Sequence, residues 1–461
     1  MNQLEISSLE FQEVAEFIQR LATDYLSALP SAPTFPPETE GAALQERFGG
    51  EWPVEGMRSA ALPALRDVLR YSRSPSPRFF GYVLGSGEPV AAAADLLASV
   101  VNQNVTAWRS GPAAVTIEHT VVRWLSTALG CAGFHGSLCG GGSSANLMAL
   151  AMAREASCPA NQDGAQPAMV YASEQVHMSI GKALALLGTG RKNLRLLPVD
   201  NDFRLVPDEL EKAIQHDMRL GRKPMAVVAS AGTTNTGAID PLREIAAIAR
   251  RHGIWLHVDG AYGALAAIAT PEKFAGLELA DSLSLDPHKW LYQPLDVGCL
   301  LFRKPEAARA AFSHTAAYTK TFSPDPIEGF AFFEESLELS RRFRALKIWL
   351  SLRYHGREAF KQAILSDLRH AQLLADLIDC EPRLERVAPV PLSAVCFRLR
   401  GESDARQQAV LQRVIQRGRV YISNATIRGQ FAMRACFVNH RTTESDVKAI
   451  REEVLAAAAE A

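Results

Sequence analysis

The chain is predicted to fold as an α/β protein: a mostly parallel central sheet flanked by helices, with an N-terminal helical arm and a small C-terminal α+β domain. Three observations predict it. Six short runs are apolar almost throughout, namely "MVYAS" (169–173), "LRLLPV" (194–199), "MAVVAS" (225–230), "IWLHVD" (254–259), "SLSL" (282–285) and "GCLLF" (298–302). Such runs read as strands covered on both faces, as in a parallel sheet between helix layers. Helix-length segments separate them. Finally, 461 residues at 48% apolar composition suffice for one large α/β domain with smaller appendages.

The elements follow in chain order. Residues 9–28 place Phe11, Val14, Phe17, Ile18, Leu21, Tyr25 and Leu26 at helical spacing, and the Pro-rich stretch from Pro30 to Pro37 ends that helix. Residues 1–80 are therefore read as a helical arm. Residues 81–356 carry the six strands and form the large domain. Beyond "RYHG" (353–356), a helix through Leu377 leads to "SAVCFRLR" (393–400), "VYIS" (420–423) and "FAMRACFV" (431–438). That alternation makes 357–461 a small α+β domain.

Composition narrows the ligand. With 49 basic and 50 acidic residues the net charge is −1, and no block of like charge occurs. Neither nucleic acid nor an anionic membrane surface is the expected partner. No run approaches the length of a membrane span, and "MNQLEISSLEFQEVAEFIQRL" lacks the basic start and apolar stretch of a signal peptide. A cytoplasmic location is the expectation. Seven scattered cysteines without CxxC pairing read as buried reduced thiols, with no metal site.

Four segments carry chemistry. "LCGGGSSANLMALAMAR" (138–154) puts three glycines and two serines before a helix, with Ser143 or Ser144 as N-cap. Backbone N–H groups, hydroxyls and the positive end of the helix dipole make a cradle for an anion such as phosphate. "WLHVDGAYGA" (255–264) ends a strand on Asp259, followed by small residues that let a flat group approach. In "SLSLDPHKWLYQP" (282–294), Lys289 follows a buried strand. A desolvated lysine loses its proton readily and can form an imine with a carbonyl. His177, in "YASEQVHMSIGKAL", follows another strand.

Each feature alone also fits a structural role: a Gly-rich turn, a carboxylate capping a helix, a lysine snorkelling from an edge strand, a polar helix start. Together, in this order, they supply the handles that pyridoxal 5'-phosphate requires for its phosphate, its ring nitrogen and its aldehyde. His177 would then stack on the ring.

The same residues resemble the group II pyridoxal-phosphate-dependent amino-acid decarboxylases, which include aromatic-L-amino-acid, glutamate, tyrosine and diaminobutyrate decarboxylases. The resemblance runs from about residue 75 to 440, carried by "DPHKWL", "HVDGAYG" and "GTTNTGAID". It implies the fold type I architecture of pyridoxal enzymes and a homodimer with active sites shared at the subunit interface, for which the arm of residues 1–80 would be the dimerisation segment. It implies that Lys289 is the internal aldimine lysine, Asp259 the partner of the pyridine nitrogen and His177 the stacking histidine, with Ala261 beneath the other ring face. By the same resemblance Gly142 and Ser143 lie in the phosphate loop, His288 reaches toward phosphate and substrate, and Thr234 is near O3′. Arg434, in "FAMRACF", matches an arginine that often holds the substrate carboxylate, and "ELSRRFRALKIW" (338–349) matches a helix start at the rim of the site.

Tyr318, in "AAFSHTAAYTKTFSPDP", aligns with the family's proton-donating tyrosine on a mobile loop. A phenylalanine there accompanies aldehyde-forming chemistry in relatives, so tyrosine favours simple decarboxylation. The loop from Tyr318 to Arg341 is shorter than in the aromatic decarboxylases. "SPRFFGYVLG" (76–85) and "NQNVTAWRSGPA" (102–113) match segments lining the side-chain pocket, partly from the other subunit. Tyr82 keeps an aromatic wall. Asn104 and Thr106 stand where aromatic decarboxylases carry apolar residues, which leans toward polar or acidic substrates such as glutamate, aspartate or diaminobutyrate. "PHKWL" and "RRFRALKIW" lean toward an aromatic substrate, which is the reading adopted. The alternatives are another fold type I enzyme, such as a desulfurase, aminotransferase or aldehyde synthase, and a catalytically silent relative.

Overall fold

The computed structural model describes residues 4–36, 40–314 and 325–460. Its large sheet has seven strands: β1 (His135–Cys139), β2 (Met169–Ser173), β3 (Leu194–Leu197), β4 (Pro224–Ser230), β5 (Trp255–Asp259), β6 (Ser282–Leu285) and β7 (Gly298–Phe302), ordered β1-β7-β6-β5-β4-β2-β3. β7 runs antiparallel to both neighbours, and the other pairings are parallel. The six strands read from the sequence are all present. β1 was not anticipated, because "HGSLC" opens on an exposed histidine and a glycine and looks like a turn.

Side chains alternate between two apolar layers, as the period of a strand requires. Along β4, Val227 and Ala229 join Val121, Leu125 and Ile245 on one side, while Ala226 and Val228 pack with Ala149, Met152 and Ala153 on the other. Each fully buried valine or leucine contributes about 1.5–3 kcal/mol. The helix Gly142–Ser157 buries Ala145, Met148, Ala149, Met152 and Ala153 at three- and four-residue spacing. These small and flexible side chains let it lie close to the sheet.

A second sheet holds β8 (Leu384–Arg386), β9 (Ala394–Leu399), β10 (Ser423–Ile427) and β11 (Gln430–Cys436), ordered β10-β11-β9-β8 and antiparallel throughout. Here the sequence reading needs correction, since the strand expected at 420–423 begins at Ser423 instead. Tyr421 makes only an isolated bridge to Phe79. The hairpin between β10 and β11 turns on Arg428 and Gly429, both with positive φ (50° and 78°), the backbone that matches the twist of two paired strands. The helix Ala345–Asp379 joins the two sheets and is broken at Gly356, whose φ of 77° no helical residue adopts.

The segment 338–349 ties the chain together from inside. Arg341 is 1% exposed at its side chain and pairs with Glu118, whose carboxylate also accepts Leu138 N–H at 2.8 Å. The guanidinium donates further to Val105 O (2.9 Å) and Leu138 O (2.7 Å) and lies 4.2 Å above the Phe332 ring. One arginine thus fixes β1, the 102–106 loop and the helix Pro112–Ala128 together. Arg341→Met is expected to strand the Glu118 charge in the core and cost roughly 3–5 kcal/mol, measurable as a shift of the denaturant midpoint.

The helix Ser8–Ala28 is capped by Ser7 (Glu10 N–H to Oγ, 3.1 Å) and buries none of its side chains, leaving Leu9, Phe11, Ile18 and Leu26 exposed. All seven cysteines are free thiols; six are buried, but Cys380 is exposed, contrary to the expectation that all would be buried. No described helix is long and apolar enough to cross a membrane.

Candidate active site

The loops after five strands converge on one edge of the large sheet, where open α/β sheets bind ligands. They enclose a cavity of about 290 Å³ lined by Gly142, Ser143, His177, Thr234, Asp259, Ala261, His288 and Lys289, with Asn146, Gln175, Ser230 and Asp286 added to the residues read from sequence. Strand register explains the convergence: Ser230 pairs with Asp259, and Asp259 with Ser284, so three polar side chains stand in a row at the carboxyl ends of β4, β5 and β6.

After β1 the chain turns on Gly141, whose φ of 132° favours glycine, and Gly141 itself is the N-cap of the next helix. Ser143 and Ser144 therefore lie in the first turn and do not cap it. The Gly142 and Ser143 N–H groups have no acceptor within the helix and so remain available to an anion, whereas Ser144 N–H is already bonded to Gly141 O at 2.9 Å. A Cβ on Gly142 would lie 2.7 Å from Ala261 Cβ and 2.9 Å from Asp286 Oδ2. Gly298, at the start of β7, presses against Gly141 in the same way. Glycine is required where these backbones meet.

Asp259 ends β5 at 9% exposure, held by three donors: Asn146 Nδ2 to Oδ2 (2.9 Å), and Ala261 N–H (3.1 Å) and Ser284 Oγ (3.2 Å) to Oδ1. These donors fix the orientation of the carboxylate toward the cavity. His177 caps the helix Met178–Leu186, its Nδ1 accepting from Ser179 N–H at 3.3 Å. Burial lowers its pKa, against the pull of Asp259, so the ring is neutral.

Lys289 does not lie in a strand. β6 stops at Leu285, and Pro287–Trp290 forms a single helical turn that swings the ammonium into the cavity, with Nζ 2.9 Å from Asp286 Oδ2. Asp286 is 3% exposed, and its Oδ1 has no partner among the described residues. This carboxylate was missed in the sequence, although it sits three residues before the lysine, where one helical turn brings side chains together. His288 donates Nδ1–H to Val297 O (2.7 Å), and burial lowers its pKa while Asp286 opposes the shift.

The remaining expected residues do not line this cavity. Tyr82 is 50% exposed, and its hydroxyl lies 3.2 Å from that of Tyr421. Asn104 uses its Oδ1 to accept Arg341 N–H at 2.9 Å, and Thr106 Oγ1 is buried without a partner among the described residues. Arg434 is buried one residue behind the wall, donating Nε–H to Asn235 O (3.2 Å) while Nη2 finds no partner among the described residues. Tyr318 lies outside the described residues.

What is assembled is an anion cradle, a hydrogen-bonded carboxylate, a neutral imidazole and an amine around one cavity. The donor set fits pyridoxal phosphate: the glycine backbone leaves room for a phosphate, Asp259 can face a protonated ring nitrogen, and Lys289 can reach an aldehyde.

Comparison with known proteins accords with this chemistry. The pyridoxal-dependent decarboxylase conserved domain matches residues 66–400. The aromatic-L-amino-acid decarboxylase of Bacillus atrophaeus is 35% identical over 98% of this chain and 97% of its own. The 4-hydroxyphenylacetaldehyde synthase of Rhodiola rosea is 32% identical over 95% of this chain and 91% of its own. Among solved structures, Oryza sativa TDC with PLP and tryptamine superposes with a TM-score of 0.93 at 28% identity, covering 100% of this chain and 99% of that one.

Proposed function

The chain belongs to the pyridoxal-dependent decarboxylase family, and from that premise we propose that it removes the carboxylate of an aromatic L-amino acid as CO2 and releases the amine. Its cofactor is pyridoxal 5'-phosphate, which when bound supplies a conjugated ring that takes up the electron pair left as CO2 departs. The observation that carries the proposal is the meeting of Lys289, Asp259 and the Gly140–Gly142 turn in one cavity.

In this proposal Lys289 is the residue whose amine would hold the cofactor at its aldehyde carbon, Nζ standing in the cavity beside Asp286. Gly142, Ser143, Thr234 and His288 hold the phosphate and O3′ side. Asp259 keeps a proton on the ring nitrogen through a charge-assisted hydrogen bond in a low-dielectric pocket. His177 and Ala261 cover the two ring faces. Arg434 Nη2, without a partner among the described residues, would have to swing from behind the cavity wall to bind the substrate carboxylate. That group must stand perpendicular to the ring without being held too tightly, since an interaction stronger in the ground state than in the transition state slows the step.

The aromatic preference rests on the 35% identical aromatic-L-amino-acid decarboxylase. The polar reading loses support because Asn104 Oδ1 is spent on the Arg341 backbone. We further propose a cytoplasmic homodimer whose partner completes the side-chain pocket. Leu96, Leu97, Val100 and Val101, beside the 102–106 loop, are exposed together with the apolar face of the arm, and a second copy would cover both.

The aldehyde-synthase reading has one specific support, the Rhodiola rosea relative. Tyr318 decides between the two, because in the proposed reaction it returns a proton to the α-carbon. Tyr318→Phe is expected to slow amine release by roughly 10²–10⁴-fold, the range of a lost general acid, and, with dioxygen as oxidant and water consumed, to divert flux to aldehyde, CO2, ammonia and peroxide; an unchanged product profile contradicts the assignment. Incubating the holoenzyme with a panel of L-amino acids, with CO2, amine, aldehyde, ammonia and peroxide quantified, tests the whole proposal. Amine from aromatic substrates supports it. Amine from glutamate alone, or aldehyde with peroxide, refutes it.

A further inference from the structure

We infer that Asn146 is a positioning residue for both Asp259 and His177, and that a chain of three further side chains, His257, Ser282 and Trp255, fixes which way its amide points. The inference rests on the ring-holding roles given to Asp259 and His177 above.

The hydrogen positions follow from what each group can donate. Asp259 Oδ2 accepts, so the atom of Asn146 facing it at 2.9 Å is Nδ2. The second Nδ2 hydrogen goes to Ser179 Oγ at 3.0 Å. Ser179 in turn gives its hydroxyl hydrogen to His177 Nδ1 at 2.8 Å, a nitrogen that already accepts Ser179 N–H. The His177 proton is thereby placed on Nε2. On the other side Asn146 Oδ1 must accept, and His257 Nε2–H lies 2.9 Å away. His257 Nδ1 is then the acceptor for Ser282 Oγ–H (2.9 Å), whose oxygen accepts Trp255 Nε1–H (2.9 Å). The bonds therefore run in one direction, from Trp255 to Asp259.

Sheet geometry makes the row possible. Trp255, His257 and Asp259 alternate along β5 and share a face, and His257 stands opposite Ser282 in register. The helix Gly142–Ser157 covers that face and contributes Asn146, which is 1% exposed. Burial lowers the His257 pKa to about 4, with Asp259 and Ser282 pulling the other way, so the ring stays neutral and keeps one donor and one acceptor. A buried polar row is costly unless every member is satisfied, and here each is. Without the His257 donor Asn146 Oδ1 is left buried without its bond, and the amide is drawn away from Asp259 and Ser179 toward another donor, loosening its hold on Asp259 and His177 together.

The test uses full-length protein loaded with pyridoxal phosphate labelled with ¹⁵N in the ring. The ring-nitrogen chemical shift reports its protonation, and cofactor affinity is measured in parallel. His257→Phe and Asn146→Ser are expected to shift the ring nitrogen toward the unprotonated value and to weaken cofactor binding about tenfold or more. His257→Gln, which retains a donor, is expected to restore both. A ring shift and affinity equal to wild type in both damaging variants overturns the inference, as does a Gln variant as impaired as the Phe variant, which would indicate packing alone. Wild-type protein that takes up no pyridoxal phosphate overturns the cofactor assignment, and this inference with it.

Discussion

Lys289→Ala is expected to abolish covalent cofactor attachment and its visible absorbance, and to lower turnover by roughly 10⁴-fold or more, the scale seen when a covalent nucleophile is removed. The fold should survive, because Lys289 closes no core contact. Its Nζ partner is Asp286, on the same short turn. Losing the ammonium leaves the Asp286 carboxylate beside the glycine cradle without its counter-charge, so phosphate binding should weaken as well. Absorbance and steady-state kinetics, with a denaturation curve as control, check the prediction. Undiminished turnover in the variant would end the proposed mechanism.

Asp259→Asn is the second large effect. The substitution keeps the shape and removes the charge, and it sets the new amide against Asn146, whose Nδ2 faces Oδ2 at 2.9 Å. With two donors opposed, or with an acceptor lost to Ala261 N–H and Ser284 after a flip, the ring nitrogen loses its anionic partner. A drop in kcat of about 10²–10³-fold at saturating cofactor is expected, comparable to the loss of one preorganised electrostatic contact. A fall in cofactor affinity with kcat intact would mean that Asp259 binds the ring without tuning it.

Legibility in the sequence followed unbroken apolar runs, which found even the half-exposed β3 and missed the mostly buried β1. β2 and β4 to β7 are covered on both faces, so their apolar runs marked them. β1 carries the glycine cradle yet was invisible, since pairing with the reversed β7 is a long-range fact that no local pattern encodes. Lys289, Asp259 and the glycines were legible because residues with few structural uses recur at strand ends. Asn146, His257 and Ser282 were not: each is an ordinary polar residue until β5, β6 and the covering helix are placed together. Asn104 was legible only as a polar residue; that its Oδ1 accepts the Arg341 backbone N–H at 2.9 Å follows from the fold.

The most direct test is borohydride reduction of cofactor-soaked protein followed by peptide mass mapping. The expected result is one peptide, containing Lys289, heavier by a reduced phosphopyridoxyl group. Protein that gains no mass, or gains it at another lysine, would contradict the assignment on which the chemistry depends.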